Sequence, residues 1–218
     1  MTGPEFLARL RALQVPAVTT ADAATVLGVS IVAASHALHR LGEVGLLTPV
    51  RKGLWALQER PDPMVLAEYV TAPYASYVSL HTALYQHGMI EQIPDITYLV
   101  SLGRPSMLAT KIGTYSVHHT EPKLFGGFTV DARTMIKMAT PEKAMFDFLY
   151  LAPTRSGLFA SLPELTLPSR FRVRAVRDWL GRVTSPRLRT IVAAQLDVIL
   201  GARSRSAPRD TRDRMRSP

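Results

Sequence analysis

Residues Thr20 to Gly45 read TADAATVLGVSIVAASHALHRLGEVG, and this stretch decides the fold of the N-terminal part of the chain. Ala23, Ala24 and Leu27 recur at the spacing of one helical face, which predicts a helix that buries these side chains. Gly28 follows them, and glycine easily takes the positive φ at which many helices end. The stretch therefore begins with a short helix and a tight turn.

A second helix is predicted directly after that turn. Ser30 suits its N-cap position, because the hydroxyl can accept a hydrogen bond from a free N–H of the first turn. Ala34, Leu38 and Leu41 continue an apolar stripe at i, i+4 and i+7, and Gly45 ends the helix. Two helices that meet at a sharp turn containing glycine are typical of a helix-turn-helix, in which the second is the recognition helix.

The flanking residues extend this motif. Apolar residues on one face of 4–13 predict a preceding helix, and Thr20 is the better N-cap candidate for the helix that follows. After the recognition helix, residues 46–50 and 54–57 predict two short strands joined by the basic tip Arg51-Lys52-Gly53. Three helices followed by a basic β-hairpin predict a winged helix-turn-helix DNA-binding domain over residues 1–60.

The recognition helix would present the residues opposite its apolar stripe to DNA. Its Ser, His and Arg side chains can donate hydrogen bonds to base edges or phosphates, and Val32 and Ala33 can contact thymine methyl groups. The two basic residues of the hairpin tip would meet phosphates or enter the minor groove. The residues predicted to bind DNA are Thr20, Ser30, Val32, Ala33, Ser35, His36, His39, Arg40, Arg51 and Lys52. Taken singly, each also fits a solvated surface position.

The charge of this first domain is modest. Residues 1–60 hold six Lys and Arg against four Asp and Glu, whereas the whole chain carries a formal charge of +9. Because affinity for DNA rises with the number of phosphates neutralised, we expect the first domain to bind weakly by itself. Much of the positive charge lies in the C-terminal half.

The composition narrows the class of protein. A chain of 218 residues, 47% of them hydrophobic, can form one large or two small domains with a real core. The absence of cysteine excludes disulfides, thiolate zinc sites and cysteine catalysis. No apolar run reaches the roughly 18 residues of a spanning helix, and the start lacks the apolar core of a signal peptide. We therefore expect a cytoplasmic protein with a nucleic-acid partner and no membrane.

A second domain is predicted over residues 61–202. Its boundary is Arg60-Pro61-Asp62-Pro63, since two prolines interrupt helix and sheet alike. Helices are predicted over 64–70, over 79–87 with Ser79 as cap, from the Thr140 cap to about residue 151, and over 171–180 and 187–200. Strands are predicted over 96–101, 114–119, 128–130 and 134–138, with Gly126-Gly127 as a turn. The fold class is α+β, a winged helix-turn-helix followed by a mixed α/β domain.

Several short motifs occur in order along this chain. They are Tyr77-Val78-Ser79-Leu80, Ala83-Leu84, His87-Gly88 and, further on, Ala139-Thr140-Pro141-Glu142-Lys143-Ala144 with Asp147 and Tyr150. Together with the winged-helix start, they resemble the AbiEi-type antitoxins, which are transcriptional regulators of the type IV toxin–antitoxin systems. The resemblance extends from the N-terminal domain to about Tyr150.

The resemblance implies two activities. The winged helix would bind double-stranded DNA at the chain's own promoter and repress its operon, at two half-sites with a dimer on the DNA. The second domain would counter a nucleotidyltransferase-like toxin encoded beside it, functionally if not by stable contact. The alternative is a stand-alone transcriptional regulator whose C-terminal domain senses a ligand or dimerises.

Two interpretations of the polar residues after Ala139 stay open. Thr140, Glu142, Lys143 and Asp147 can form a polar site, since the last two lie four residues apart on one helical face. The simpler interpretation is a capped helix with an exposed ion pair worth a few tenths of a kcal/mol. His81, His118 and His119 have no metal-ligand spacing with nearby carboxylates. We expect no enzyme, no metal site and no cofactor.

The C-terminal end is rich in arginine. Residues 170–189 contain seven arginines and one acidic residue, and Arg170, Arg174 and Arg177 are predicted to share a helical face. A secondary basic surface is predicted at Arg170, Arg172, Arg174, Arg177, Arg187 and Arg189. Residues 203–218 combine six arginines with Ser, Pro and two aspartates, which predicts a disordered tail. These arginines would bind flanking DNA, an acidic toxin or the toxin's nucleic-acid substrate, or would only solubilise the chain.

Overall fold

Two β-sheets and the helices packed against them form the chain, and the predicted α+β class is confirmed. The computed structural model describes residues 3–152 and 164–206, and for residues 202–206 it describes the backbone alone. Within these ranges there are eight α-helices, and the strands form one three-stranded and one six-stranded sheet.

The N-terminal module, residues 3–57, contains three helices and the smaller sheet. The elements are α1 Gly3–Arg11, β1 Ala17–Thr19, α2 Thr20–Leu27, α3 Ile31–Glu43, β2 Thr48–Arg51 and β3 Leu54–Ala56. The sheet is antiparallel, and its strand order is β1-β3-β2. The sequence predicted the helices and the β2–β3 hairpin, but it did not predict β1, whose three residues are too few to show a pattern.

Thr19 caps α2, so the prediction of Thr20 as the N-cap is wrong. The Thr19 hydroxyl accepts a hydrogen bond from the N–H of Asp22 at 3.0 Å, and the Asp22 carboxylate accepts one from the N–H of Thr19 at 3.2 Å. This reciprocal pair requires the acidic residue three positions after the cap, which only Thr19 satisfies. The Thr20 hydroxyl instead accepts a hydrogen bond from Nε1 of Trp55 at 3.2 Å.

The turn between α2 and α3 follows the prediction. Gly28 has a φ of 64°, and the Ser30 hydroxyl accepts a hydrogen bond from the N–H of Ala33 at 3.2 Å. Ala34, Leu38 and Leu41 are buried against α1 and α2. The same spacing that predicted the apolar stripe thus fixes which face of α3 points outward.

The second module follows residue 63. Its helices are α4 Ala67–Thr71, α5 Leu80–Gln86, α6 Pro141–Leu151, α7 Val173–Gly181 and α8 Pro186–Ser206. Its strands are β4 Ser76–Val78, β5 Ile96–Ser101, β6 Ser106–Thr110, β7 Gly113–His119, β8 Phe128–Val130 and β9 Lys137–Ala139, with a 3₁₀ turn at Pro122–Leu124. The strand order is β6-β7-β5-β4-β9-β8, with β5 parallel to β7 and β4 parallel to β9.

Two local predictions in this module need correction. The strand predicted over 134–138 is β9, which begins later because the Asp131 carboxylate accepts hydrogen bonds from the N–H groups of Arg133 and Thr134 and holds them in a turn. Gly126-Gly127 is not a hairpin turn. It precedes β8, and a Cβ on Gly127 would lie 2.7 Å from the Trp179 ring. The close approach of Trp179 requires a glycine at 127, and the positive φ of Gly126, 132°, explains the other glycine.

The C-terminal helices agree with the prediction only in part. Arg170 precedes α7, so it does not share a helical face with Arg174 and Arg177. Residues 203–206 of the predicted tail belong to α8, and the rest of that tail lies outside the described residues.

In the described ranges no single helix is long and apolar enough to cross a membrane. The pair α2 and α3 reaches the required length and apolar content only together, and it is bent by 109°.

Apolar clusters stabilise each module and join the two. One cluster lies beneath α1, α2 and α3, and a second lies between α5, α6 and the six-stranded sheet. The bridging cluster, our name for the third, joins the outer face of the small sheet to α4 and the large sheet. Its members are Ala17, Val50, Leu54, Ala56, Leu66, Ala67, Val70, Val78, Leu99, Tyr115 and Val117. The predicted boundary at residues 60–63 therefore connects two modules that share an apolar core.

Candidate functional site

The outward face of α3 is the first part of the candidate site. The side chains of Val32, Ala33, His36, His39 and Arg40 are exposed, and Val32 keeps 65% of its surface accessible. Exposed apolar side chains beside imidazole and guanidinium groups can contact both the methyl groups and the polar edges of bases.

Three other predicted residues are less available on this face, and two of them have structural contacts. Ser35 is half-buried, and the Ser30 side chain is engaged in the cap of α3. The Thr20 hydroxyl accepts the hydrogen bond from Trp55 and lies 3.9 Å from the position of a Cβ on Gly53. Ser30 therefore positions α3 and Thr20 positions Trp55 and the hairpin tip, whereas Ser35 only borders the exposed face.

The tip of the β2–β3 hairpin is the second part of the site. Arg51 and Lys52 are exposed there, and Gly53 has a φ of 75°, a conformation that a tight turn needs and glycine adopts without strain. The pairing of the two strands shifts between Pro49 and Arg51, which places the bulge directly before the tip.

Trp55 fixes the distance between α3 and the hairpin. Its ring meets His39 edge to face with centroids 4.9 Å apart. A Cβ on Gly42 would lie 3.0 Å from the same ring, so α3 needs a glycine to approach it. The outward face of α3 and the hairpin tip are therefore held as one surface by a buried tryptophan.

Lys111 also lies at this surface, although the sequence did not predict it. The turn between β6 and β7 carries this exposed lysine, and its N–H donates to the carbonyl of Val50 at 3.4 Å. A depression of about 460 Å³ lies between α3, the hairpin and this turn, with His39, Arg51 and Lys111 in its lining. Lysine is common in turns, so its presence there predicts no function. The local sequence also does not show that this turn packs beside a hairpin about sixty residues earlier in the chain.

The charge of this surface is positive and unpaired. Within residues 3–152 and 164–206, Arg40, Arg51, Lys52 and Lys111 have no carboxylate within salt-bridge distance. Glu43, at the end of α3, does not line this depression, but it lines a smaller neighbouring cavity of about 200 Å³ together with His39 and Lys111. Free cations around a concave surface attract a polyanion more strongly than cations neutralised by neighbouring carboxylates.

The predicted secondary basic surface is partly neutralised. Nε of Arg172 lies 3.6 Å from the Glu142 carboxylate, and Arg177 lies 3.3 Å from that of Asp197. The other four predicted members, Arg170, Arg174, Arg187 and Arg189, are exposed. Arg182, which was not among the predicted residues, stacks on the Trp179 ring at 4.1 Å.

A buried polar cluster lies in the second module, and the interpretation of Lys143 and Asp147 as an exposed ion pair is wrong. The two side chains are paired, with exposures of 0% and 1%. Asp147 also accepts hydrogen bonds from the Tyr77 hydroxyl at 3.0 Å and the Ser79 hydroxyl at 2.8 Å. Ser79 therefore does not cap α5 with its side chain, and it connects β4 to α6 instead.

Aromatic rings enclose the ammonium group of Lys143. Its Nζ lies 4.5 Å from the centroid of Trp179, 4.8 Å from Phe146 and 5.6 Å from Tyr77. Burial lowers the pKa of Lys143 and raises that of Asp147, while the charge of each partner opposes these shifts. Burial, followed by the charge of Asp147, raises the pKa of Tyr77. The cluster is sealed from solvent and joins β4, α6 and α7.

The other predicted polar residues have local partners. The Thr140 hydroxyl accepts from the N–H of Lys143 at 3.3 Å, which confirms the predicted cap, and the Glu142 carboxylate accepts from the N–H of Arg172 at 3.0 Å. Burial, followed by the charge of His81, lowers the pKa of His118 to about 4. In the described residues, no three His, Asp or Glu side chains are grouped to hold a metal ion.

Comparison of the chain with models of known protein families, and with characterised proteins, finds no match.

Removal of the Lys143 charge tests the buried pair. We expect Lys143→Met to lower the free energy of unfolding by about 3–5 kcal/mol, because the Asp147 carboxylate would stay buried without its cation. Adding Asp147→Asn should recover part of that loss, since an amide oxygen can still accept from Tyr77 and Ser79. Urea unfolding followed by circular dichroism measures both.

The matched control is Lys137→Met. Lys137 forms an ion pair with Glu68 at 2.7 Å, but both side chains are about one-third exposed, so we expect a change of at most about 1 kcal/mol. Equal losses from Lys143→Met and Lys137→Met would contradict the description of the buried pair.

Proposed function

We propose that this chain is a DNA-binding transcriptional regulator whose N-terminal module is a winged helix-turn-helix. The observation that carries the proposal is the position of the exposed face of α3 beside a basic hairpin tip, with Trp55 packed between them. In this proposal α3 lies in the major groove, and Arg51 and Lys52 contact the adjacent backbone or minor groove. The role is one of binding, without catalysis.

Polar and apolar side chains on α3 would read the bases, and basic side chains at the hairpin tip would bind the phosphates. His36, His39 and Arg40 offer donors to base edges or phosphates, while Val32 and Ala33 offer apolar contact to thymine. The unpaired cations at the hairpin tip supply affinity that does not depend on sequence. Two half-sites, occupied by a dimer, would double both kinds of contact.

We further propose that the chain represses its own operon and acts as the antitoxin of a type IV toxin–antitoxin system, against a nucleotidyltransferase-like toxin. The support is the resemblance to the AbiEi-type antitoxins. Some of the residues that carry it are adjacent in space, since Tyr77 and Ser79 donate to Asp147 beside Lys143. Because this cluster is sealed, its side chains stabilise the domain, and any surface that acts on a toxin lies elsewhere.

The alternative is a stand-alone regulator whose second module senses a ligand or dimerises. The observation that favours it is an open groove of about 610 Å³ between α7 and α8. Its lining combines Leu180 and Leu196 with Arg189 and with the ion pair of Arg177 and Asp197, so a mainly apolar ligand with one anionic group facing Arg189 would suit it.

Removal of basic side chains tests DNA binding. We expect Arg40→Ala to weaken binding to the region upstream of the chain's own reading frame by about tenfold. The double variant Arg51→Ala with Lys52→Ala should also lower the slope of log K against log salt by up to about two, because two phosphate contacts are lost. Fluorescence anisotropy with labelled duplex DNA at several salt concentrations measures both quantities.

The matched control removes two exposed arginines from the second module, Arg104 and Arg133. It changes the net charge as much as the hairpin variant does, and we expect unchanged binding. Wild-type affinity in the Arg40 and hairpin variants would exclude α3 and the hairpin as the DNA-binding surface.

A toxicity rescue separates the two proposed activities. Expression of the neighbouring nucleotidyltransferase-like toxin should arrest growth, and the full chain should restore it. The triple variant of Arg40, Arg51 and Lys52 to Ala should restore growth equally while it no longer represses the promoter. Failure of the wild-type chain to restore growth would reject the antitoxin proposal and would favour the stand-alone regulator.

A further inference from the structure

The turn between β6 and β7 belongs to the second module but lies at the proposed DNA-binding surface of the first. Lys111 of this turn, with Ala109 and Thr110 at the end of β6, borders the same depression as Arg51, Lys52 and His39. From this juxtaposition we propose that Lys111 binds a phosphate of the DNA backbone next to those bound by the hairpin tip. This inference rests on the proposed DNA-binding function and adds a contact from the second module to it.

The position of the turn is fixed by the backbone as well as by packing. The N–H of Lys111 donates to the carbonyl of Val50 in β2, at the end of the strand that leads to the tip. The Thr110 hydroxyl donates to the carbonyl of Gly113 at 2.6 Å, which closes the turn on itself. The Lys111 backbone is therefore anchored, and its long side chain alone has to be ordered when it binds a phosphate.

The bridging cluster makes the turn and the hairpin one rigid unit. Val50 and Leu54 of the hairpin pack with Tyr115 and Val117 of β7, and the Tyr115 hydroxyl donates to the carbonyl of Pro63 at 2.9 Å. A lysine whose backbone is fixed relative to the tip before binding loses less entropy on association than one on a mobile loop, because only its side chain has to be ordered. The geometry thus suits a contact made together with those of the hairpin.

The charges suit a polyanion that runs past the hairpin. Arg51, Lys52 and Lys111 line the depression without ion pairs in the described ranges, and its lining contains no acidic residue. Glu43 lines a smaller neighbouring cavity that Lys111 also borders, without forming an ion pair with it. Phosphates of a backbone strand are spaced closely enough for neighbouring cations to bind successive groups. Three basic side chains on a fixed backbone beside α3 therefore suit the backbone of duplex DNA.

The test uses the full chain and duplex DNA from the region upstream of its own reading frame. Lys111→Gln removes the charge, leaves a somewhat shorter polar side chain, and keeps the backbone hydrogen bond to Val50. We expect a rise in Kd of about threefold to tenfold near physiological salt, and a fall of about one in the slope of log K against log salt. Lys111→Arg, which keeps the positive charge, should have the Kd and the salt slope of the wild-type chain.

The matched control is Arg104→Gln, which removes one exposed charge near the other end of β6. Unchanged binding in this control together with weaker binding in Lys111→Gln supports the contact. Equal weakening in both variants would overturn it, because the effect would then be one of net charge. Wild-type binding by Lys111→Gln would overturn it and leave the DNA-binding proposal standing. If the wild-type chain does not bind the duplex, the proposed DNA-binding function is rejected, and the Lys111 contact is rejected with it.

Discussion

The packing of the small sheet against the large one is the interaction on which the candidate site depends. The strands of the N-terminal module have only three or four residues each, shorter than the usual length of about five or six, so the small sheet alone makes few contacts that hold the hairpin in place. The bridging cluster covers its second face with α4 and with residues of β5 and β7. The hairpin is thereby held at its base while its tip remains in solvent.

Trp55 connects this packing to α3. In β3, all three side chains are buried, because Trp55 faces the helices while Leu54 and Ala56 face the bridging cluster. The ring then meets His39 and the backbone at Gly42, so the outer face of α3 keeps a constant position relative to the tip. Base recognition and phosphate binding require such a fixed relation, since they have to occur on the same stretch of duplex.

Local sequence signals predicted several helix starts and stops, because the interactions that begin or end a helix lie within a few residues of its end. The caps at Ser30 and Thr140 and the glycine stop at Gly28 each depend on residues within one turn. The run Leu54-Trp55-Ala56-Leu57 also carried a signal that was missed. A strand that is apolar at every position has both faces covered, so the run indicated a second packing partner for the hairpin.

Long-range contacts could not be predicted in the same way. The ion pair of Lys143 and Asp147 is spaced as an ordinary surface pair, and its burial depends on Tyr77 and Trp179, which come from distant parts of the chain. The same holds for Lys111, whose position beside β2 follows from how the two sheets pack. A resemblance in short motifs identified residues of the sealed cluster, but it did not indicate that they are inaccessible.

Hydrogen–deuterium exchange of the full chain, with and without duplex DNA from its own upstream region, tests the central claim most directly. If α3, the β2–β3 hairpin and the β6–β7 turn form one DNA-binding surface, DNA should slow exchange in residues 31–43, 48–56 and 110–113 together. The amides of the sealed cluster around Lys143 should stay unchanged. Protection confined to α7 and α8, with none in α3 or the hairpin, would contradict this account.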